Sequence, residues 1–158
     1  MANWCSNSVV FQAEPAQLSK IQSLFLQLAA LAESTGEGQL PSFIHEQEGY
    51  FFDIGWEEDV LFYATRWVPN TDYLIEVAEF FGAEFKHYYA QTSNSVYGVA
   101  TYQDGVLTIT DLNNSDFDLY NLDPDSGLYQ FEGQSYESSE EILDILIERK
   151  QQINDLTD

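Results

Sequence analysis

The chain has 158 residues, of which 27 are Asp or Glu and 5 are Lys or Arg, for a formal charge of −22. That length suits one domain with a small appendage, and so large an acid excess excludes a basic nucleic-acid-binding surface and disfavours docking on anionic membranes. Three Trp, 10 Tyr and 11 Phe supply core material that disordered acidic tails lack.

Residues 1–8 carry neither the basic nor the apolar stretch of a signal peptide, so a cytoplasmic protein is expected. Cys5 is the sole cysteine, which allows no internal disulfide and no thiolate zinc cluster. Residues 7–12 place Val9 and Phe11 on one face and Ser8, Val10 and Gln12 on the other, as in a half-buried strand. Leu18, Ile21, Leu24, Phe25, Leu28 and Leu31 then recur at spacings of three and four. They predict an amphipathic helix from Pro15 to Glu33, closed by Gly36. Its apolar run, broken by Gln27, is too short to span a bilayer.

Strands are expected over residues 49–54 and 60–67, joined as a hairpin through Glu57-Glu58-Asp59. A second helix opens after Pro69 with Asn70 or Thr71 as its N-cap, turns Leu74, Ile75, Ala78 and Phe81 inward, and stops at Gly82. Strands over 84–90 and 96–102 follow. Asp104-Gly105 then makes a tight turn into a strand over 106–110. The order β-α-β-β-α-β plus a hairpin strand is the ferredoxin-like split β-α-β, an α+β fold with two helices on one face of an antiparallel sheet.

Composition divides the chain into a domain over 1–110 and an acidic extension over 111–158. The extension holds 13 acids and two bases in 48 residues, against 14 acids and three bases in the 110 before it. Loops are expected at Asn113-Asn114-Ser115 and Asp123–Gly127, around strands over 118–122 and 128–132. Ser138 with Glu141 forms a capping box for a last helix with Ile142, Ile145, Leu146 and Ile153 as its apolar stripe.

Three segments together resemble the YubB-type ferredoxin-like proteins of phages, plasmids and other mobile elements. These are the opening Met1-Ala2-Asn3-Trp4-Cys5-Ser6-Asn7, the segment Tyr63-Ala64-Thr65-Arg66-Trp67 with Pro69, and Phe85–Tyr89 running on to Tyr97-Gly98. Ala2 replaces the family's usual Pro, and Gln91 stands where an acid is expected. The resemblance covers about residues 1–110. It implies a ferredoxin-like fold and a mobile-element setting, and no activity.

Trp4, Arg66 and Trp67 are candidates for a ligand or peptide pocket, since Trp and Arg dominate interface hot spots. The alternative is that both Trp cover one end of the sheet while Arg66 pairs with a carboxylate. Cys5 reads as a small buried hydrophobe. His45 and His87 lack the spacing of a zinc pair, and no nucleophile elbow or phosphate loop is present. Asp123-Pro124-Asp125-Ser126-Gly127 resembles a calcium loop, but Gly127 and Glu132 come too early in it. A turn is expected there, with weak divalent binding by Asp123 and Asp125 as the alternative.

The acids themselves have two readings, a solvated surface or an array of carboxylates that mimics DNA before a basic groove. Candidate members are Glu57, Glu58, Asp59, Asp116, Asp118, Asp123, Asp125, Glu137, Glu140 and Glu141. The expected function is non-enzymatic: binding of a basic protein or a nucleic-acid-binding complex, without direct contact to nucleic acid or membrane. The sharper form is an inhibitor of a host nuclease or defence complex. The competing expectation is a small-molecule or peptide site at the sheet end.

Overall fold

Alternation along the first strand decides the layers. In the computed structural model, which describes the backbone of residues 3–157 and the side chains of residues 3–153, β1 (Trp4–Gln12) buries Cys5, Asn7, Val9 and Phe11 on a single face. Met1 and Ala2 of the opening motif lie outside the described residues. The strand starts earlier than its apolar pattern suggests, because Trp4 pairs across to Arg66 and Ser6 to both Ala64 and Ala90. Flanked by two neighbours, β1 is extended over its whole length.

Helix α1 (Pro15–Thr35) carries Pro15 in its first turn, where the missing N–H costs nothing. It ends at Gly36, whose φ of 71° lets its N–H reach the carbonyl of Ala32. The hairpin of β2 (Phe52–Glu57) and β3 (Val60–Arg66) follows, then α2 (Thr71–Phe81), β4 (Glu84–Gln91), β5 (Val96–Gln103) and β6 (Val106–Asp111). All pairs are antiparallel, in the order β2-β3-β1-β4-β5-β6. The first four are the ferredoxin-like sheet, and β5 and β6 extend it by a hairpin turning on Asp104 and Gly105, both at positive φ. The expected α+β fold is present.

Helices α1 and α2 cover the face that β1 turns inward. Val9, Phe11, Phe25, Phe51, Leu61, Leu74 and Phe85 form their shared core. In α2 the buried residues are Leu74, Val77 and Ala78; Ile75 and Phe81 only border the core. Asn70 precedes the helix but makes no capping hydrogen bond. Its side chain instead accepts from the Tyr63 hydroxyl at 2.7 Å and donates to the Gly49 carbonyl at 2.9 Å. Gly98 is required where it stands, because a Cβ there would overlap the Asp111 carboxylate and come within 2.7 Å of the Tyr89 hydroxyl.

The acidic extension departs most from expectation. Asn113-Asn114-Ser115 is not a loop but the start of α3 (Asn114–Phe117). The Asn113 side chain accepts the Asp116 N–H while Asp116 accepts the Asn113 N–H. The strand expected over 118–122 shrinks to β7 (Asn121–Leu122), since α3 consumes its beginning. The strand over 128–132 is β8 (Tyr129–Phe131), joined to an unforeseen β9 (Gln134–Tyr136) through Glu132 and Gly133 at φ 48° and 77°. Helix α4 (Ser139–Thr157) buries Ile142, Leu143, Leu146 and Ile147, while Ile153 lies beyond the last buried turn and is 60% exposed.

Those four residues pack with Leu112, Phe131 and Val99 of β5. Ala100 pairs with His87, which pairs in turn with Val9 on the α1/α2 side. Val99, one residue off that register, points to the other side. Helix α4 therefore lies on the sheet face opposite α1 and α2.

Candidate functional site

Only the β5 side of that second face is covered by α4. Across the central strands it stays open, displaying Trp4, Phe62 and Tyr88 at 43–46% exposure. Arg66, directly across from Trp4, lays its guanidinium 5.6 Å from the Trp4 ring and 4.7 Å from the Phe52 ring, and the two rings meet edge to face at 4.9 Å. Lys86 places its ammonium 5.5 Å from the Tyr88 ring. Among the described residues neither cation has an ion pair. The carboxylate partner expected for Arg66 is replaced by rings, because its cross-strand neighbours are aromatic.

Trp67 adopts a left-handed φ of 70°, anchored by its N–H on the Asn3 carbonyl at 2.7 Å, and stays half exposed. A broad open groove of about 870 Å³ lies at this end, with Phe52, Arg66, Trp67, Thr71 and Asp72 on its lining. Of the three residues expected to form a pocket, Arg66 and Trp67 face the groove, and Trp4 backs Arg66.

The candidate acids do not form one array. Glu57, Glu58 and Asp59 sit at the hairpin of the edge strand β2, where Trp56 Nε1–H donates to the Glu58 carbonyl at 2.9 Å. The others belong to the extension. Asp116 is neutralised by Lys150 at 2.6 Å. Burial alone would push its carboxyl up, but Lys150 and the Asn113 amide outweigh this and hold it below the usual range. Asp118 ends α3. Asp123 accepts the Asp125 N–H at 3.0 Å and the Ser126 hydroxyl at 3.1 Å, so it builds its own turn and leaves Asp125 at the exposed tip. No three His, Cys, Asp or Glu gather for a metal ion among the described residues. Glu137 precedes α4, and Glu140 and Glu141 occupy its first turn, where the helix N-terminus favours negative charge. Glu141 accepts the Ser138 N–H at 3.3 Å.

Sequence reasoning missed a cluster of carboxylates around α2. Glu76 is raised by partial burial and then by Glu46, Glu79 and Asp72, against the opposing influence of His45. Tyr73 is raised by burial, Glu46, Glu48 and Glu76. The signal lay in Asp72, Glu76 and Glu79, spaced four and three along α2 and hence on a single side of it.

A second concavity, about 300 Å³, separates α4 from the open sheet face. Ser6, Ser8, Phe62 and Tyr88 line it from the sheet, and Glu140, Asp144 and Ile147 from the helix. The Tyr97 hydroxyl donates to the Asp144 carboxylate, and burial followed by that bond pushes its pKa well up.

Under α2 a buried polar chain crosses the sheet. The Asn7 amide donates to the Cys5 carbonyl and to Thr65 Oγ1, each at 3.1 Å, leaving its Oδ1 to accept from His87 Nε2 at 2.8 Å. Thr71 Oγ1 then donates to His87 Nδ1 at 3.0 Å. Threonine, histidine and asparagine thus stand in the order of a nucleophile, its base and an orienting group. Burial lowers His87 to about 3, however, and so weak a base does not draw a proton from a threonine hydroxyl near neutral pH. Cys5, fully buried with its thiol pushed up by burial, is no thiolate.

No helix among the described residues is long and apolar enough to cross a membrane. The family described as a ferredoxin-like domain in Api92-like protein matches residues 45–132, from the loop before β2 to just past β8. No curated protein and no solved structure matches. With more than half of its length inside that match and the ferredoxin-like strand order in place, the chain belongs to the family of ferredoxin-like domains in Api92-like proteins.

Proposed function

We propose that this protein is a non-enzymatic cytoplasmic binding module that attracts a basic macromolecular partner through uncompensated negative charge. The observation that carries this reading is the pairing of 27 acids with 5 bases when only two ion pairs form among the described residues. Both pairs lie in the extension, so the carboxylates around Glu76 have no ion-pair partner among the described residues. Such a surface steers association with a cationic surface and weakens with salt. The YubB-type opening Asn3-Trp4-Cys5-Ser6-Asn7 supports a mobile-element setting, in which the partner is a host nuclease or defence complex and the carboxylates stand in for phosphates.

The test is titration of the purified protein against nucleic-acid-free DNA-binding nuclease complexes. The expected result is a complex that double-stranded DNA competes away and that weakens steeply between about 50 and 200 mM salt. Association indifferent to ionic strength, or none with any basic complex, overturns the reading.

A second reading rests on the groove beside Trp67. Its volume of about 870 Å³ falls within the range of small-molecule sites, roughly 300–1,000 Å³. It would take a peptide or small ligand against Arg66 and Trp67, and soaking or titration with aromatic carboxylates would reveal it as Trp fluorescence quenching.

A further inference from the structure

We propose that the cleft between α4 and the open sheet face receives an arginine side chain of the basic partner, so that one guanidinium lies on the aromatic floor and against the carboxylates of α4. The proposal rests on the acidic-surface reading above and gives it a point of insertion. Glu140 and Asp144 are one turn apart on α4, and both line this cleft of about 300 Å³. Neither has an ion pair among the described residues. The helix's own cations are drawn elsewhere: Arg149 pairs with Glu132, and Lys150 with Asp116. Asp144 receives the Tyr97 hydroxyl on Oδ1, which holds the carboxylate in place and leaves Oδ2 to accept from a guest.

The rest of the lining suits the same guest. Phe62 and Tyr88 offer ring surface, Ile147 offers an apolar wall for a methylene stem, and Ser6 and Ser8 supply hydroxyls. A planar guanidinium can stack on rings and meet carboxylates through paired N–H groups, which an ammonium cannot do as well. The protein already shows this chemistry on the same sheet face, where Arg66 lies over Trp4 and Phe52. Net charge draws the partner in, and the cleft selects which of its residues is buried.

The probe is a fluorescently labelled nine-residue oligoarginine peptide, with oligolysine of equal length for comparison. Wild type binds oligoarginine more tightly than oligolysine. The double variant E140Q/D144N loses about tenfold or more in affinity, the scale expected for hydrogen bonds to a charged group. E33Q/E37Q, which removes the same charge at the exposed C-terminal end of α1, loses about twofold or less. Ser8→Leu, which fills the cleft without altering charge or adding a ring, loses as much as the double variant. Equal losses in the two charge variants, or full affinity in Ser8→Leu, overturn the cleft while leaving the acidic-surface reading intact. Failure of wild type to bind either peptide at low salt overturns both.

Discussion

The two faces of the sheet start from the same strands and the same pleat, and they end in opposite states. Beneath α1 and α2 the inward residues of β1, from Cys5 to Phe11, are buried together with Phe25, Phe51 and Leu61. On the other side Trp4, Phe62 and Tyr88 keep nearly half their surface in water. Helix α4 reaches only the β5 side, where Val99 joins Ile142 and Leu143. One face is thus spent on stability. The other combines exposed rings, two cations without ion pairs among the described residues, and the carboxylates of Glu140 and Asp144, and it is the face on which we propose that a partner docks.

Substitutions that separate the faces make the difference measurable. Phe25→Ala, in the closed core, is expected to cost about 3–5 kcal/mol, read as a shift in the urea midpoint. Ile142→Ala, in the smaller core under α4, should cost about 2–4 kcal/mol and loosen the helix that walls the cleft, seen as faster amide exchange along α4. Exchange in Ile142→Ala that rises equally along α1 and α2 would mean that the two layers open as one cooperative unit.

Acid supplies the third effect. His87 is held to about 3 in the fold by burial, against 6.5 ordinarily, so between those values the unfolded chain binds a proton that the native protein refuses. Stability from this group is complete above about pH 6.5 and declines as pH falls toward 3, by about 2 kcal/mol at pH 5. Urea unfolding at pH 7 and pH 5 measures it, and His87→Gln should flatten the difference. The smallest effect belongs to the open face: Phe62→Ala should change stability by no more than about 0.5–1 kcal/mol while weakening partner binding. A large loss of stability there would contradict the division between the faces.

Legibility followed the strength of local pattern. The first helix, the Asp104-Gly105 hairpin and the β-α-β-β-α-β order could be read because periodicity and turn chemistry are confined to neighbours in sequence. In the extension the signals were short and competed with one another. Asn113 and Asp116 close a helical turn where Asn and Ser suggested a loop, and the positive φ at Glu132 lies at a residue whose type gives no warning of it. The site was harder still. Glu140 was a candidate from its place in the chain, but Asp144 and Tyr88 gained meaning only when α4 was laid across the sheet. Asp116 and Asp123 were candidates by charge, and the fold commits the first to Lys150 and the second to its own turn.

Composition and spacing alone determined that this is a strongly anionic, aromatic-rich α+β chain with ferredoxin-like strand order, since hydrophobic period and turn residues act over a few positions and net charge is indifferent to arrangement. Tertiary structure decided which carboxylates remain free, which face of the sheet stays open, and that Arg66 rests on rings rather than on an acid. Those outcomes depend on residues tens of positions apart meeting in space, and no local pattern encodes which partner a side chain will find.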